Sequence, residues 1–171
     1  MSDRRRQFTD QPYVYFITFS IHKRRRMLDL DQPKRVVLGV LNHLRDTMKV
    51  RCIGFVIMPD HLHALIMLSR AQELSRFLHT WKRMSSFYIR RWYAACAPHY
   101  FAGFGPGDRL WQKKSYVFHV DNERTLKTKL DYIHLNPVRA GLVERAVDWP
   151  WSSARWYILG RTVGVPIEWV E

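Results

Sequence analysis

RCIGFVIMPDHLHALIML, residues 51–68, consists of two apolar runs broken at Pro59-Asp60. Proline has no N–H to give a strand ladder, so the run at 51–58 stops there and a second run resumes over 61–68. The pair reads as an antiparallel hairpin. In the second run one residue separates His61 from His63, and the two-residue period of a strand aims both imidazoles at one face and Leu62 at the other. Two convergent nitrogen donors can hold a divalent ion. With eight histidines in the chain, a structural or chance pair accounts for the spacing equally well, so a second element has to decide.

Outward from the hairpin, the pattern changes period on both sides. Upstream, Val36, Val37, Val40, Leu41, Leu44 and Met48 recur at helical spacing between Pro33 and Val50, with the proline where a first turn tolerates it. Before that helix, YVYFITFSIH at 13–22 is rich in β-branched and aromatic residues and reads as a strand, followed by a basic turn, Lys23-Arg24-Arg25-Arg26. Downstream, Leu74, Leu78, Trp81, Ser85, Tyr88 and Trp92 trace one face of a helix over about 72–95, with Arg76, Lys82, Arg83, Arg90 and Arg91 largely elsewhere. AGFGPGDR at 102–109 is a loop, and SYVFHV at 115–120 a short strand. Asp121 or Asn122 can cap a last helix whose buried stripe is Leu126, Leu130 and Ile133, with an end expected near Asn136-Pro137 because a residue before proline resists the α region. From about 141 to 171 an irregular aromatic tail is expected. The order β-α-β-β-α-β plus a further helix predicts an α+β, ferredoxin-like split βαβ fold: an antiparallel sheet with two helices on one face and a C-terminal helix, in one domain spanning 1–171.

With 28 Lys+Arg against 15 Asp+Glu, the formal charge of +13 exceeds what solubility needs and implies a polyanionic partner. Nucleic acid fits this charge, and aromatics at 14% of the chain suit base stacking beside phosphate contacts. No apolar run approaches the roughly 18 residues of a membrane span. The two cysteines form no CxxC pair and MSDRRRQ leads into polar sequence, so a cytoplasmic location is expected.

The second element is DYIHLNPVRAGLV, residues 131–143. Tyr132 and Asn136 stand four apart on the last helix, share a face, and lie off the apolar stripe. Spacing alone leaves two readings open for Tyr132: a partly buried tyrosine with a satisfied hydroxyl, or a residue directed at a ligand.

Together MPDHLHALI (58–66), LWQKKSYVFHV (110–120), DYIHLNPVRAGLV and DWPWSSARWY (148–157) resemble the REP-associated tyrosine transposases, a branch of the single-tyrosine HUH endonucleases and transposases. The resemblance covers most of the chain. It implies that His61 and His63 are metal ligands for Mg²⁺ or Mn²⁺, that Tyr132 is the catalytic nucleophile on a C-terminal catalytic helix, and that Asn136 completes the metal site. It implies as substrate a single-stranded or hairpin DNA of REP-like palindromes, nicked and rejoined through a 5′-phosphotyrosine. One departure is Val117, where relatives usually carry an acidic residue. Arg24, Arg25, Arg26, Lys82, Arg83, Lys113 and Lys114 are the expected phosphate contacts, and a monomer is favoured over a homodimer. The competing reading is a domesticated, non-catalytic hairpin-binding protein, which would need neither the histidines nor the tyrosine.

Overall fold

The computed structural model describes residues 13–105 and 107–170; MSDRRRQ and Pro106 of the glycine-rich loop lie outside them. The elements are β1 (Tyr13–Ser20), α1 (Asp31–Met48), β2 (Arg51–Ile57), β3 (His61–Leu68), α2 (Leu74–Cys96), β4 (Tyr116–Val120), α3 (Glu123–Arg139) and α4 (Ala154–Leu159). The four strands form one sheet in the order β2-β3-β1-β4, with every neighbouring pair antiparallel. This is the ferredoxin-like order that the succession of elements predicts.

Strand alternation divides the apolar residues between two cores. Tyr15, Ile17 and Phe19 of β1 and Leu62, Ala64 and Ile66 of β3 pack with α1 and α2 on one face. Val14, Phe16, Leu65, Met67 and Val120 pack with Leu126, Leu130 and Ile133 of α3 on the other. A bulge between Cys52 and Gly54 shifts the β2 register. It turns Ile53 toward the α3 core while Cys52 stays in the α1/α2 core. Gly54 then lies directly beneath Leu130, and any Cβ there would collide with that side chain. The glycine therefore sets how closely α3 approaches the sheet.

Two helices depart from the expected pattern. The fully buried stripe of α2 is Phe77, Trp81, Ser85, Ile89 and Tyr93, whereas Tyr88 is exposed. Trp81 and Ser85 are common to the expected and the observed stripes, and the Ser85 hydroxyl donates to the Trp81 carbonyl (2.6 Å) and accepts from the Trp111 indole N–H (3.0 Å), so a small polar residue sits in the core with its bonds made. α3 begins at Asn122, whose side chain accepts from the Thr125 N–H at 2.8 Å. It does not end at Asn136 but continues through Pro137 to Arg139. Proline forfeits one N–H, while its ring is buried and the last turn is closed by Ala140 N–H to Asn136 O (3.0 Å) and Leu142 N–H to Pro137 O (2.9 Å). Asn136 thus stays helical, on the same face as Tyr132.

The segment after 141 is more ordered than expected and runs along the outer edge of β2. Ile57 N–H donates to Trp151 O (2.8 Å), Ser153 N–H to Phe55 O (2.9 Å) and Glu168 N–H to Cys52 O (2.9 Å). Trp149 and Tyr157 add side-chain bonds to the Ile57 and Ile53 carbonyls, at 3.0 and 2.7 Å. Ser153 also receives the Phe55 N–H (3.0 Å) and lies 2.7 Å from His134 Nε2, tying tail, β2 and α3 together. An otherwise open strand edge is covered in this way.

Candidate active site

The β1–β3 register sets Thr18 opposite His63 and Ser20 opposite His61. Both imidazoles project on the α3 side of the sheet, with ring centroids 4.9 Å apart. Thr18 Oγ1 lies 2.6 Å from His63 Nδ1, and Asp60 Oδ1 lies 2.6 Å from His61 Nδ1. A carboxylate only accepts, so His61 carries its proton on Nδ1 and keeps the Nε2 lone pair open. The same tautomer at His63, with Nδ1–H donated to Thr18, leaves its Nε2 open as well. Burial, and then the neighbouring His61, lower the His63 pKa to about 3. Burial also lowers that of His61, against the opposing pull of Asp60. Both rings are therefore neutral donors at physiological pH.

α3 brings Tyr132 over this pair. Its ring centroid is 5.3 Å from that of His63 and 6.0 Å from that of Phe16, and the residue is 39% exposed and lines a cleft. Asn136, one turn further on, comes close enough to His61 to interact with its ring. Two cations flank the tyrosine: Lys129 Nζ sits 4.7 Å above the Phe16 ring, and Arg139 lies 5.3 Å over the Tyr132 ring. Between α3 and β4 opens a cleft of about 420 Å³ lined by Phe16, Thr18, His63, Tyr116, Lys129 and Tyr132.

The turn after β1 completes the pair's surroundings. Lys23 (φ 57°) and Arg24 (φ 54°) are consecutive left-handed residues without being glycines, a conformation that costs energy and persists only where the surroundings hold it. It sends the Arg24 guanidinium back over the strand ends, onto Asp60 Oδ2 (2.8 Å) and Ser20 Oγ (2.9 Å). Arg24 thus holds the carboxylate that holds His61. Asp60 precedes His61 directly in the chain and was open to notice there. The Thr18 contact carries no local signal, since 45 residues separate it from His63.

Among the described residues, no three His, Cys, Asp or Glu side chains gather as a metal cluster. The donor set is instead two neutral imidazoles and the carboxamide of Asn136. Borderline nitrogen donors whose second nitrogens are held by a carboxylate and a hydroxyl, plus one hard oxygen, fit a divalent ion.

The expected phosphate contacts separate into two groups. Arg24 is paired as above. Arg25 donates to Gly103 O (2.7 Å) and stacks on Phe104, Arg26 pairs with Asp29 through two bonds of 2.8 Å, and Lys82 holds the 112–115 segment through Gln112 O (2.6 Å), Lys113 O and Ser115 Oγ. Arg83, Lys113 and Lys114 are exposed, and among the described residues they make no ion pair. Arg83 and Lys113 border a wide groove of about 670 Å³ between α2 and the segment before β4, together with Arg90 and Arg109. Val117 pairs with Ile17 and packs against the α1/α2 core, on the sheet face away from the histidines. Tyr157 has its hydroxyl spent on Ile53 O, and His134 is turned to Ser153, so neither faces the cleft.

The family described as IS200-like transposase matches residues 11–136. A Haemophilus influenzae protein assigned to the REP-associated tyrosine transposases is 26% identical over 166 residues, covering 90% of this chain and 85% of that one. The REP-associated tyrosine transposase of Escherichia coli K12 is 24% identical over 153 residues, covering 90% and 82%. Among solved structures, a REP-associated tyrosine transposase bound to a REP hairpin superposes with a TM-score of 0.68 at 21% identity, covering 100% of this chain and 92% of that one. At that identity the likeness is one of fold.

Proposed function

The chain belongs to the IS200-like transposase family, and on that footing we propose that it nicks and rejoins hairpin-forming single-stranded DNA, with Tyr132 as the nucleophile and His61, His63 and Asn136 holding Mg²⁺ or Mn²⁺. The observation that carries this reading is the gathering of His61, His63, Tyr132 and Asn136 on one face, from two elements some seventy residues apart in sequence.

A divalent ion bound there would polarise the scissile phosphate and neutralise charge that develops in the displacement. The protein's own groups do the rest. Thr18 and Asp60 fix the two imidazoles as lone-pair donors. Phe16 and His63 support the Tyr132 ring while its hydroxyl stays accessible, which positions it for in-line attack. The Tyr132 oxygen bonds to phosphorus, the bond from phosphorus to the 3′ oxygen breaks, and the electron pair leaves with that oxygen. The phenol releases a proton and the 3′ oxygen takes one up, so the proton count is unchanged. The product is a 5′-phosphotyrosine and a free 3′-hydroxyl. Because the phosphodiester becomes another phosphodiester, a 3′-hydroxyl from a second strand can reverse the step without an energy source. Arg139 over the Tyr132 ring and Lys129 in the adjoining cleft suit the phosphate's charge.

Arg83, Lys113 and Lys114 are the basic residues best disposed to contact DNA phosphates, with Arg109 and Arg90 of the same groove beside them. Arg24, Arg25, Arg26 and Lys82 are engaged within the fold and serve first to shape the site and its loops. REP-like palindromes as the substrate follow the likeness to the hairpin-bound relative. A monomer in the cytoplasm is the accompanying reading, supported by the tail covering the β2 edge. The test is incubation of the protein with a labelled single-stranded hairpin oligonucleotide and Mn²⁺, followed by denaturing electrophoresis and peptide mapping. A DNA adduct on Tyr132 is the expected result; cleavage without an adduct would point to water as the nucleophile, and binding without cleavage to the non-catalytic reading.

A further inference from the structure

Beside Tyr132 the cleft is built from aromatic side chains that the strand-cutting chemistry does not use. Tyr116 and Phe118 of β4 pair with Thr18 and Phe16 of β1 and so share the face that carries His63. Both are exposed, Tyr116 at 56% and Phe118 at 38%. Large apolar rings left open on an edge strand are a liability unless something covers them. Their arrangement is specific. Tyr116 and Tyr132 both meet one ring, Phe16, edge-on at 73° and 72°, with centroids 6.2 and 6.0 Å away. Lys129 lines the same cleft, its ammonium 4.7 Å from the Phe16 ring and 4.9 Å from the Phe118 ring. A flat, apolar, phosphate-bearing ligand satisfies every wall of this slot: π-faces for a planar ring and an ammonium for the charge attached to it.

We infer that Tyr116, Phe118 and Lys129 form a stacking subsite for one unpaired nucleobase adjacent to the scissile phosphate. The inference rests on the reading of the chain as a transposase of single-stranded DNA and adds what selects the strand. A base stacked in a duplex presents no free face to such a slot, whereas an unpaired base does, whatever its identity. The subsite therefore favours strands that are unpaired at the cut and contributes little base specificity. Lys129 lies one turn before Tyr132 on α3, so a nucleotide seated over Phe16 brings its phosphate toward the Tyr132 hydroxyl.

The test uses the full chain without metal, so that no cleavage intervenes, and a ten-nucleotide single strand carrying 2-aminopurine at successive positions, whose fluorescence is quenched on stacking. Wild type should quench the 2-aminopurine of the bound strand, and Tyr116→Leu should abolish that quenching and weaken binding of the single strand by about 5- to 150-fold, the range for removing one base–aromatic stack. Binding of a blunt hairpin with no unpaired extension should be unchanged. Tyr116→Trp, which restores a π-face, should restore both signals, and loss of rescue would overturn the inference. Equal affinity of wild type and Tyr116→Leu for the single strand, or equal losses on single strand and blunt hairpin, would also overturn it. Adduct formation on Tyr132 is scored separately with Mn²⁺, so quenching without an adduct would sink the transposase mechanism and leave the stacking slot standing.

Discussion

Replacing Asp60 tests whether the carboxylate behind His61 serves the metal. Asp60 Oδ1 accepts a hydrogen bond from the His61 Nδ1–H at 2.6 Å, and Asp60 Oδ2 is held by Arg24 at 2.8 Å, so the carboxylate is fixed at both ends. The two side chains of the first contact are only 13% and 22% exposed, so water screens it little. A hydrogen bond to a charged group in such a setting is worth about 1.5–3 kcal/mol net, and each 1.4 kcal/mol is about a factor of ten. Asp60→Ala removes the bond and frees the ring to rotate or change tautomer. Its Mn²⁺ affinity should fall by about 10- to 100-fold, the range seen when the outer partner of a ligating histidine is lost. Asp60→Asn keeps an acceptor but not its charge, roughly half of the interaction, and should cost about threefold to tenfold. Titration of free Mn²⁺ by electron paramagnetic resonance reads the affinity directly, with thermal denaturation as a control for folding. Cleavage by either variant should recover in excess Mn²⁺. Unchanged Mn²⁺ affinity in a folded Asp60→Ala protein would refute the reasoning and assign the contact to strand-end packing alone.

Tyr132→Phe removes one oxygen from a side chain 39% exposed, so hairpin affinity should survive while the DNA adduct disappears on denaturing gels; a persisting adduct would move the nucleophile to Tyr116, the other exposed tyrosine of the cleft. His61→Ala and His63→Ala should each abolish cleavage yet retain hairpin binding in a filter assay, and a loss of helical circular dichroism would instead mark the imidazoles as structural. If about six phosphates are contacted, affinity for single-stranded DNA should drop at least a hundredfold between 50 and 200 mM salt, and a flat response would remove the phosphate track. Burial of His134 against Ser153 lowers its pKa to about 4, below the unfolded value near 6.5, so its unfolded form binds the extra proton. Stability from this group is full above pH 6.5 and is lost as pH falls toward 4. The stability of wild type to urea should therefore fall by about 2 kcal/mol more than that of His134→Gln between pH 7 and 4.5; equal losses would show that His134 takes up its proton as readily in the fold as in the unfolded chain.

Much of this protein is written in local pattern. The succession of strands and helices follows from residues within a few positions of one another, because the periods of two and 3.6 are properties of the backbone itself. The shared face of His61 and His63 and that of Tyr132 and Asn136 follow for the same reason, and so does the buried stripe Leu126, Leu130 and Ile133. What local pattern could not supply is pairing across distance. Thr18 meets His63 only because β1 and β3 adopt one register, and a slip of one residue would have put an apolar side chain there. Periodicity places Ser85 on the traced face of α2, but only Trp111, reaching it from 26 residues away, shows how a hydroxyl is satisfied in that core. The run Arg24-Arg25-Arg26 reads as an exposed phosphate track, yet Asp60, Gly103 O and Asp29 each claim one guanidinium. By local pattern Pro137 stops α3, but tertiary burial of its ring outweighs one missing N–H, and that keeps Asn136 on the helix, one turn from Tyr132. Backbone periodicity chooses which way each side chain points; the partner it meets there is decided by the simultaneous packing of elements distant in sequence, an energy that no local pattern contains.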